Sequence, residues 1–280
     1  VGPQTNSSPA RMDKMPTDYK HSDHFGKIAP LYQNLRITDE EPITYIVHQL
    51  NSLTAIKAAD IGCGTGRYTQ LLIRQLQDRI NFIYGIDLSA KMLGRFIGRF
   101  NREFAEDSIR VTGTIKASAM SLPLSDESLN CMFSFNAVHH FTLLDFLQET
   151  ARILQDGGYL FVYTRLRSQN SRSVWGRFFP LFNSKETRLY EEDQLKESIA
   201  RIPGLRLRET RTFEFNRKST LERLSEKAKN HHYSTFDLYS QSEFEKALNQ
   251  FRGNLQDNFS DPNDIRWVDE NILFTLQKTG

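Results

Sequence analysis

The sequence predicts an α/β protein whose central sheet is mainly parallel and is covered by helices on both faces. Along residues 41–165, short apolar runs typical of strands alternate with longer segments whose apolar residues recur at helical spacing. Parallel strands need crossover connections, and right-handed crossovers place helices on both faces of the sheet. Two later runs, 205–215 and 271–278, indicate that the sheet ends in antiparallel strands.

The helices are predicted from an apolar face on each and from residues that favour helix ends. In the first, 41–53, Pro42 suits the first turn. Ser89 is a suitable N-cap for a helix at 89–104, and a Gly-Gly pair is expected to end the helix at 143–155. Further helices are expected at 67–77, 191–201, 219–231 and 240–252.

The strands are predicted from short runs that are apolar throughout or alternate between apolar and polar residues. Thr112 and Thr114, for example, fall on the face opposite the apolar residues of their run. Strands in the first part of the chain are expected at 55–61, 81–88, 109–117, 128–137 and 159–165. After these the pattern loosens, and the polar and aromatic segment 167–190 is predicted to be an insertion or a lid.

The composition is that of an ordinary globular protein. The chain has 280 residues, 39% hydrophobic and 25% charged. Its net charge of +2 gives no large nucleic-acid footprint, and no apolar run reaches the roughly 18–20 residues of a membrane span. Because the N-terminus lacks a signal-peptide pattern, we expect a cytoplasmic protein with a flexible tail at 1–20 and a single domain at 21–280. Cys63 and Cys131 supply neither a disulfide framework nor a zinc cluster.

Three glycines crowd the stretch AADIGCGTGRYT, residues 58–69. Gly62, Gly64 and Gly66 follow the first predicted strand and precede a helix. Because glycine in a regular element costs roughly 0.5–1 kcal/mol relative to alanine, this bare backbone indicates the close approach of a ligand beside a helix N-terminus. Asp87 ends the second strand about 20 residues later, where an acidic side chain accepts hydrogen bonds from a ribose diol. Together they predict a ligand that contains a ribose.

The spacing of the glycines separates two kinds of ribose ligand. Dinucleotide-binding domains carry G-x-G-x-x-G, whereas the spacing here is G-x-G-x-G and Arg67 takes the place of the last dinucleotide glycine. Asp60, at the end of the first strand, has the wrong charge for a pyrophosphate and suits a cationic ligand. Both residues argue against a nicotinamide-dependent dehydrogenase.

With these features the chain resembles the class I S-adenosylmethionine-dependent methyltransferases, in particular the type 11-like subgroup. The segment KASAMSLPLSDESLNCMFSFNAVHHF, residues 116–141, continues the resemblance, which covers residues 42–165 well. It implies a doubly wound, Rossmann-like sheet of seven strands in the order 3-2-1-4-5-7-6, with strand 7 antiparallel. It also implies S-adenosyl-L-methionine as the cofactor.

The resemblance further implies which residues hold the cofactor. Asp60 would anchor its amino-acid end and Asp87 its ribose. Tyr32 and Arg36 lie in a segment that folds over the cofactor in related enzymes. The family usually places an acidic residue near the adenine amino group, and Ser118 occupies that position here. The full set of expected contacts is Asp60, Gly62, Cys63, Gly64, Thr65, Gly66, Asp87, Leu88, Met92, Ser118, Ala119, Met120, Asn136, Ala137, Tyr32 and Arg36.

Two histidines follow the fourth predicted strand. His139 or His140 could act as a general base near neutral pH, with His140 slightly favoured for its reach towards the acceptor. The alternative is that one packs beneath the cofactor and the other caps the next helix, because methyl transfer can proceed by alignment alone. The pair His231 and His232 has no third ligand nearby in sequence, so no metal site is expected.

The sequence therefore predicts a methyltransferase that acts on an oxygen, nitrogen or carbon of a small-molecule acceptor. Residues 42–165 would bind the cofactor, and residues 167–260 would shape the acceptor pocket. Two alternatives stay open: an RNA methyltransferase that uses the basic and aromatic residues 164–180, and a protein that binds the cofactor without catalysis. The near-neutral charge disfavours RNA. No membrane partner is expected, and the oligomeric state is left open.

Overall fold

The structure is a computed structural model that describes residues 38–103 and 111–280. Its strands are β1 (Ile56–Ile61), β2 (Ile80–Asp87), β3 (Val111–Lys116), β4 (Leu129–Phe135), β5 (Leu154–Thr164), β6 (Leu205–Ser219) and β7 (Ile265–Lys278). Across the described ranges they form one seven-stranded sheet in the order β3-β2-β1-β4-β5-β7-β6. β1 to β5 pair in parallel, and β7 is antiparallel to both β5 and β6. This order confirms the predicted fold.

Helices pack on both faces of the sheet because the side chains of each strand alternate between two apolar clusters. Ala58 belongs to the cluster beneath the first three helices, and its neighbour Ala59 belongs to the opposite cluster. The helices are α1 (Glu41–Gln49), α2 (Arg67–Leu76), α3 (Ala90–Glu103), α4 (Leu143–Ile153), α5 (Arg167–Arg172), α6 (Val174–Phe178), α7 (Phe182–Lys185), α8 (Glu192–Ala200), α9 (Leu221–Lys229) and α10 (Gln241–Asn258). α1, α2 and α3 cover one face, while α4 and α8 cover the other.

The strand order reverses between β1 and β4, which pair side by side at the centre of the sheet. The chain leaves β1 through the glycine turn and leaves β4 through Asn136. In open α/β sheets a crevice forms where two such connections part, and ligands bind there. The fold therefore places the glycine turn at the predicted ligand-binding edge.

The predicted end of the helix at 143–155 was wrong in its details. α4 ends at Ile153, and the Gly-Gly pair lies within β5 rather than at a helix terminus. Leu129 pairs with Leu154, but Cys131 pairs with Tyr159, so residues 155–158 bulge out of the ladder. Gly157 adopts a φ of 78° in this bulge, a conformation that favours glycine.

The last two strands are longer than predicted. β6 and β7 pair as far as Ser219 opposite Ile265, beyond the apolar runs that marked them in the sequence. The added length carries charged residues such as Arg217 and Asp269, which do not alternate with apolar residues. This extension carries polar side chains to the side of the crevice.

Residues 167–190, predicted to be an insertion or a lid, include the short helices α5, α6 and α7. Their aromatic residues pack with α9 and α10 in a separate apolar cluster centred on Trp175, which is 3% exposed. The ring of Trp175 stacks on Phe251 with centroids 5.1 Å apart. This accessory cluster is therefore a second packed unit beside the sheet.

Candidate active site

A cleft opens at the carboxyl ends of β1, β2 and β4, and the glycine turn forms one wall. The turn is fastened to β2 because the backbone amides of Gly62 and Cys63 both donate to the carbonyl of Ile86, at 2.8 and 3.1 Å. Asp87 adds a second attachment, since its carboxylate accepts from the amide of Gly64 at 2.9 Å and from that of Ser89 at 2.8 Å. Each of its oxygens keeps a lone pair that can accept a hydrogen bond from a ligand hydroxyl.

The three glycines of the turn have different surroundings, although all adopt positive φ angles, of 70°, 54° and 74° in chain order. A Cβ at Gly62 would lie 2.5 Å from that of Ala137, and one at Gly66 would lie 2.6 Å from the ring of Phe96. At Gly64 nothing lies within 4 Å of the added atom. Only Gly64 therefore presents open backbone to a ligand; Gly62 and Gly66 are needed for packing within the protein.

Asp60 is buried at the base of the cleft and is 1% exposed. Its Oδ2 accepts from the hydroxyl of Thr69 at 2.5 Å, while its Oδ1 has no hydrogen-bond partner among the described residues. Burial raises the pKa of Asp60 to about 7, against the lowering effect of Thr69, and the charge on Asp87 raises it further. A buried carboxylate with an unpaired oxygen is an anchor for a cationic group.

The opposite wall of the cleft is more apolar. Met92 is buried, and Phe141 and His140 lie where the chain leaves β4. The amide of Met120 donates to the hydroxyl of Ser118 at 3.3 Å, which closes a local turn at the end of β3. Burial, followed by the charges of Asp87 and Asp60, raises the pKa of the Cys63 thiol. Cys63 is thus a protonated, packed residue rather than an activated nucleophile.

A second cavity, which we call the polar chamber, adjoins the cleft. The two cavities share Arg67, Tyr68 and Asn136 in their walls. The chamber lies between the sheet edge and the accessory cluster, and both Trp175 and Trp267 line it. A molecule in the chamber therefore lies next to whatever occupies the cleft.

The chamber contains several ion pairs that are mostly shielded from solvent. Arg217 contacts Asp39 at 2.6 Å and Asp269 at 3.4 Å, while Arg165 contacts Asp269 at 3.2 Å. Burial raises the pKa of Asp39, although the hydrogen bond and charge of Arg217 oppose this effect. These pairs hold the extended ends of β6 and β7 against residues 38–40, which precede α1.

Glu186 forms the other charged group of the chamber wall. It contacts Arg188 at 2.5 Å and accepts from the hydroxyl of Thr235 at 2.5 Å. Burial alone would raise the pKa of Glu186, but Arg188, Thr235 and the nearby His139 hold it below its usual range. The carboxylate therefore stays ionised beside His139.

The two candidate bases occupy different cavities even though their rings are only 4.1 Å apart. His140 lines the cleft, and His139 lines the polar chamber with Glu186. Both residues belong to a short 3-10 helix, Val138–His140. The sequence argument favoured His140 for its reach towards the acceptor, whereas His139 is the one that faces the chamber.

Residues 59–162 match the family model Methyltransf_11, described as a methyltransferase domain. The match covers little more than a third of the chain. This match and the sheet order confirm the predicted resemblance to the class I S-adenosylmethionine-dependent methyltransferases.

Relatives of the methyltransferase domain differ in what their names say they methylate. The 27-O-demethylrifamycin SV methyltransferase of Amycolatopsis mediterranei is 28% identical over 128 residues, 44% of this chain and 45% of that protein. The human protein named "Probable tRNA methyltransferase 9B" is 27% identical over 118 residues, 41% of this chain and 22% of that protein. This chain therefore spans less than half the length of these two relatives.

The same fold recurs in solved structures. The [4+2]-cyclase SpnF superposes with a TM-score of 0.64 at 17% identity, over 95% of this chain and 97% of that one. At this identity the likeness extends to the fold alone.

The methyltransferase domain brings together most of the residues expected to contact the cofactor. Those that line the cleft are Asp60, Gly62, Cys63, Gly64, Thr65, Asp87, Leu88, Met92, Ser118, Ala119, Met120, Asn136 and Ala137. Gly66 lies against Phe96 and Phe100 instead, and is not part of the lining. Tyr32 and Arg36 lie outside the described residues, as does the predicted tail at 1–20.

Sequence reasoning missed several residues of the site. Tyr68 lines both cavities and stacks on Phe135 with ring centroids 4.8 Å apart. Its place on the first turn of α2, directly after the glycine turn, was a signal that could have identified it. Arg165 and Arg217 of the chamber gave no such signal.

Among the described residues there is no group of three or more potential metal ligands, and no helix is long and apolar enough to cross a membrane.

Proposed function

We propose that this protein transfers the methyl group of S-adenosylmethionine to a small molecule held in the polar chamber. The observation that carries the proposal is the wall of Tyr68 and Asn136 shared by the cleft and the chamber. A cofactor in the cleft and an acceptor in the chamber would meet at this wall. The cofactor supplies an electrophilic methyl group on a positively charged sulfur.

Two independent features of the cleft match this cofactor. Asp60 Oδ1 is a buried acceptor that has no partner among the described residues and suits the ammonium of the cofactor. Gly64 leaves open space at the turn, and Asp87 offers acceptor sites for a ribose diol beside it.

The protein's own contribution to the reaction would be orientation and proton transfer. His139 faces the chamber beside the ionised Glu186, which stabilises the protonated form of the ring. An acceptor hydroxyl or amine would therefore have a base within the same cavity. Methyl transfer to a nucleophile that needs no deprotonation would use alignment alone.

The position of the aromatic residues of segment 164–180 argues against RNA as the acceptor. Trp175, Phe178 and Phe179 are each at most 9% exposed and pack within the accessory cluster. Arg172 is bound to Glu270 at 2.6 Å. Bases stack on aromatic rings that are accessible at the surface, which these rings are not.

The test supplies methyl-labelled S-adenosylmethionine to the purified protein with an extract separated into small molecules and RNA. We expect label in the small-molecule fraction, and less label with an Asp87→Asn variant at the same subsaturating cofactor concentration. Label in RNA would contradict the proposal. Cofactor binding without label in either fraction would support a protein that binds the cofactor without catalysis.

A further inference from the structure

The polar chamber contains more positive charge than its own acidic groups neutralise. Asp39, Glu186 and Asp269 each lie within 4 Å of an arginine. Lys227 also lines the chamber, and among the described residues its ammonium has no ion-pair partner. Once the three carboxylates are matched with arginines, Arg67 and Lys227 remain in the lining. Arg67 lies at the wall shared with the cleft and donates to Thr38 at 3.0 Å, which leaves Lys227 as the surplus cation inside the chamber.

Two further groups in the chamber are hydrogen-bond donors without acceptors. Arg165 Nη1 and Trp267 Nε1 are both buried, and neither makes a hydrogen bond of normal geometry among the described residues, although the phenol of Tyr233 lies beside the Arg165 guanidinium. A buried donor without an acceptor is destabilising, and more so when the group is charged. Asp269 Oδ1 has no hydrogen bond among the described residues, but it lies 3.2 Å from Arg165 Nη2 in an ion pair.

We propose that the polar chamber binds an anionic group of the acceptor, a carboxylate or a phosphate, through Lys227, Arg165 Nη1 and Trp267 Nε1. This inference rests on the proposed function, because it assigns the acceptor to the chamber. Three donors and one surplus cation match the several lone pairs and the negative charge of such a group. A neutral acceptor could accept these hydrogen bonds but would leave the Lys227 charge unmatched, and a cationic acceptor would be repelled by it.

The burial of these donors restricts the ligand to a small molecule. The side chain of Arg165 is 11% exposed, so its free nitrogen is reached only from within the chamber. A phosphate of an RNA backbone carries nucleotides on both sides, which a site of such buried donors disfavours. Burial, partly opposed by the charge of Asp269, lowers the pKa of Lys227, and a bound anion would reverse this effect.

Intrinsic tryptophan fluorescence can report binding in the chamber, because the two tryptophans of the chain, Trp175 and Trp267, both line it. Tryptophan fluorescence of the full chain, saturated with S-adenosylhomocysteine to fill the cleft, would be titrated at constant ionic strength. The additives are inorganic phosphate, malonate and malonamide, the last being a neutral analogue of malonate. We expect a saturable change with phosphate or malonate, which separates the two anion classes, and none with malonamide.

Two lysines of α9 give a matched pair of variants. Lys227→Met is expected to weaken anion binding at least about tenfold, which corresponds to the loss of a charge-assisted hydrogen bond. Lys229→Met, at an exposed lysine that contacts Glu226, should leave it unchanged. Because Lys227 has no ion pair in the described residues, its replacement breaks none, and a thermal melt would check that both variants fold.

Three results would overturn the inference: no saturable response to either anion, an equal response to malonamide, or equal affinities for the two variants. A response to a single-stranded RNA oligonucleotide but to neither small anion would also overturn it. Calorimetry with S-adenosylhomocysteine shows whether only the anionic-acceptor inference fails or the proposed function fails as well. Binding of S-adenosylhomocysteine without an anion response rejects only the anionic acceptor, whereas no binding rejects the proposed function itself.

Discussion

The carboxylate of Asp87 accepts a hydrogen bond from the backbone amide of Gly64, 23 residues earlier in the chain, at 2.9 Å. The end of β2 is thereby joined to the middle of the glycine turn. The residue expected to bind the ribose also holds the backbone against which the ligand would lie. A change at Asp87 therefore acts on ligand affinity in two ways, directly and through the shape of the turn.

We expect Asp87→Asn to weaken binding of S-adenosylhomocysteine about 10–100-fold, because charge-assisted hydrogen bonds contribute roughly 1.5–3 kcal/mol. The amide keeps an oxygen for Gly64, so the fold should persist. Calorimetric titration would measure the affinity. Asp78→Asn is a matched control, since Asp78 is exposed at the opposite end of β2. Equal affinities for the two variants would reject the ribose assignment.

Alanine substitutions in the glycine turn should affect ligand affinity and protein stability to different extents. In Gly64→Ala the new methyl group meets open space but keeps a left-handed φ of 54°, which costs about 1–3 kcal/mol. The methyl group would occupy the cleft and lower the affinity for S-adenosylhomocysteine. In Gly62→Ala it would lie 2.5 Å from the Cβ of Ala137, so the loss of stability should be larger. Thermal melts and titrations of both variants would check this order.

The cofactor cleft could be predicted because its signals are local in the chain. The glycine turn, Asp60 and Asp87 each directly follow or end a strand, and parallel strands bring such ends together. The different surroundings of Gly62 and Gly64 could not be predicted, since they depend on Ala137 in a distant loop.

The polar chamber had no comparable signal in the sequence. Arg217 contacts Asp39 across 178 positions of the chain, and Lys227 reaches the chamber from a helix of the accessory cluster. Charged residues in the sequence mostly indicate solvated surface, so their pairing here depends on how far β6 and β7 extend. The basic and aromatic segment 164–180 was ambiguous for the same reason, because burial of Trp175 is decided by helices far along the chain.

The raised pKa of Asp60 gives cofactor binding a definite pH dependence. Burial places this pKa at about 7 in the ligand-free protein, and a cationic ammonium favours the ionised form. Below pH 7 binding must displace a proton, so affinity for S-adenosylhomocysteine should rise from pH 6 to pH 8. Asp60→Asn should remove this rise and weaken binding at pH 8. An unchanged pH profile in the variant would assign the dependence to another group.

The raised pKa of Asp60 also predicts how the stability of the ligand-free protein depends on pH. A folded-state pKa above the usual 3.8 means that the folded protein holds its proton more tightly than the unfolded chain does. The contribution of Asp60 to stability is therefore complete below pH 3.8 and is lost as pH rises through about 7. Chemical denaturation would measure the free energy of unfolding at pH 6 and at pH 8. Between these values the free energy should fall for the unmodified protein, and it should fall less for Asp60→Asn.

His139 and His140 allow acceptor chemistry to be separated from cofactor binding, because each lines a different cavity. His139→Gln should lower the rate of methyl transfer by about 10²–10⁴-fold where the acceptor must lose a proton, and should leave affinity for S-adenosylhomocysteine unchanged. At saturating cofactor, where protonation of Asp60 no longer limits binding, it should also remove the fall in rate at acidic pH, because the His139 ring is no longer there to protonate. His140→Gln should instead alter the affinity, since His140 borders the cleft.

Rates measured from pH 5 to pH 9 on the labelled small-molecule fraction, together with calorimetry, would distinguish the two variants. A His139→Gln protein with an unchanged rate and pH profile would show that the acceptor needs no base and that alignment at the shared wall is sufficient.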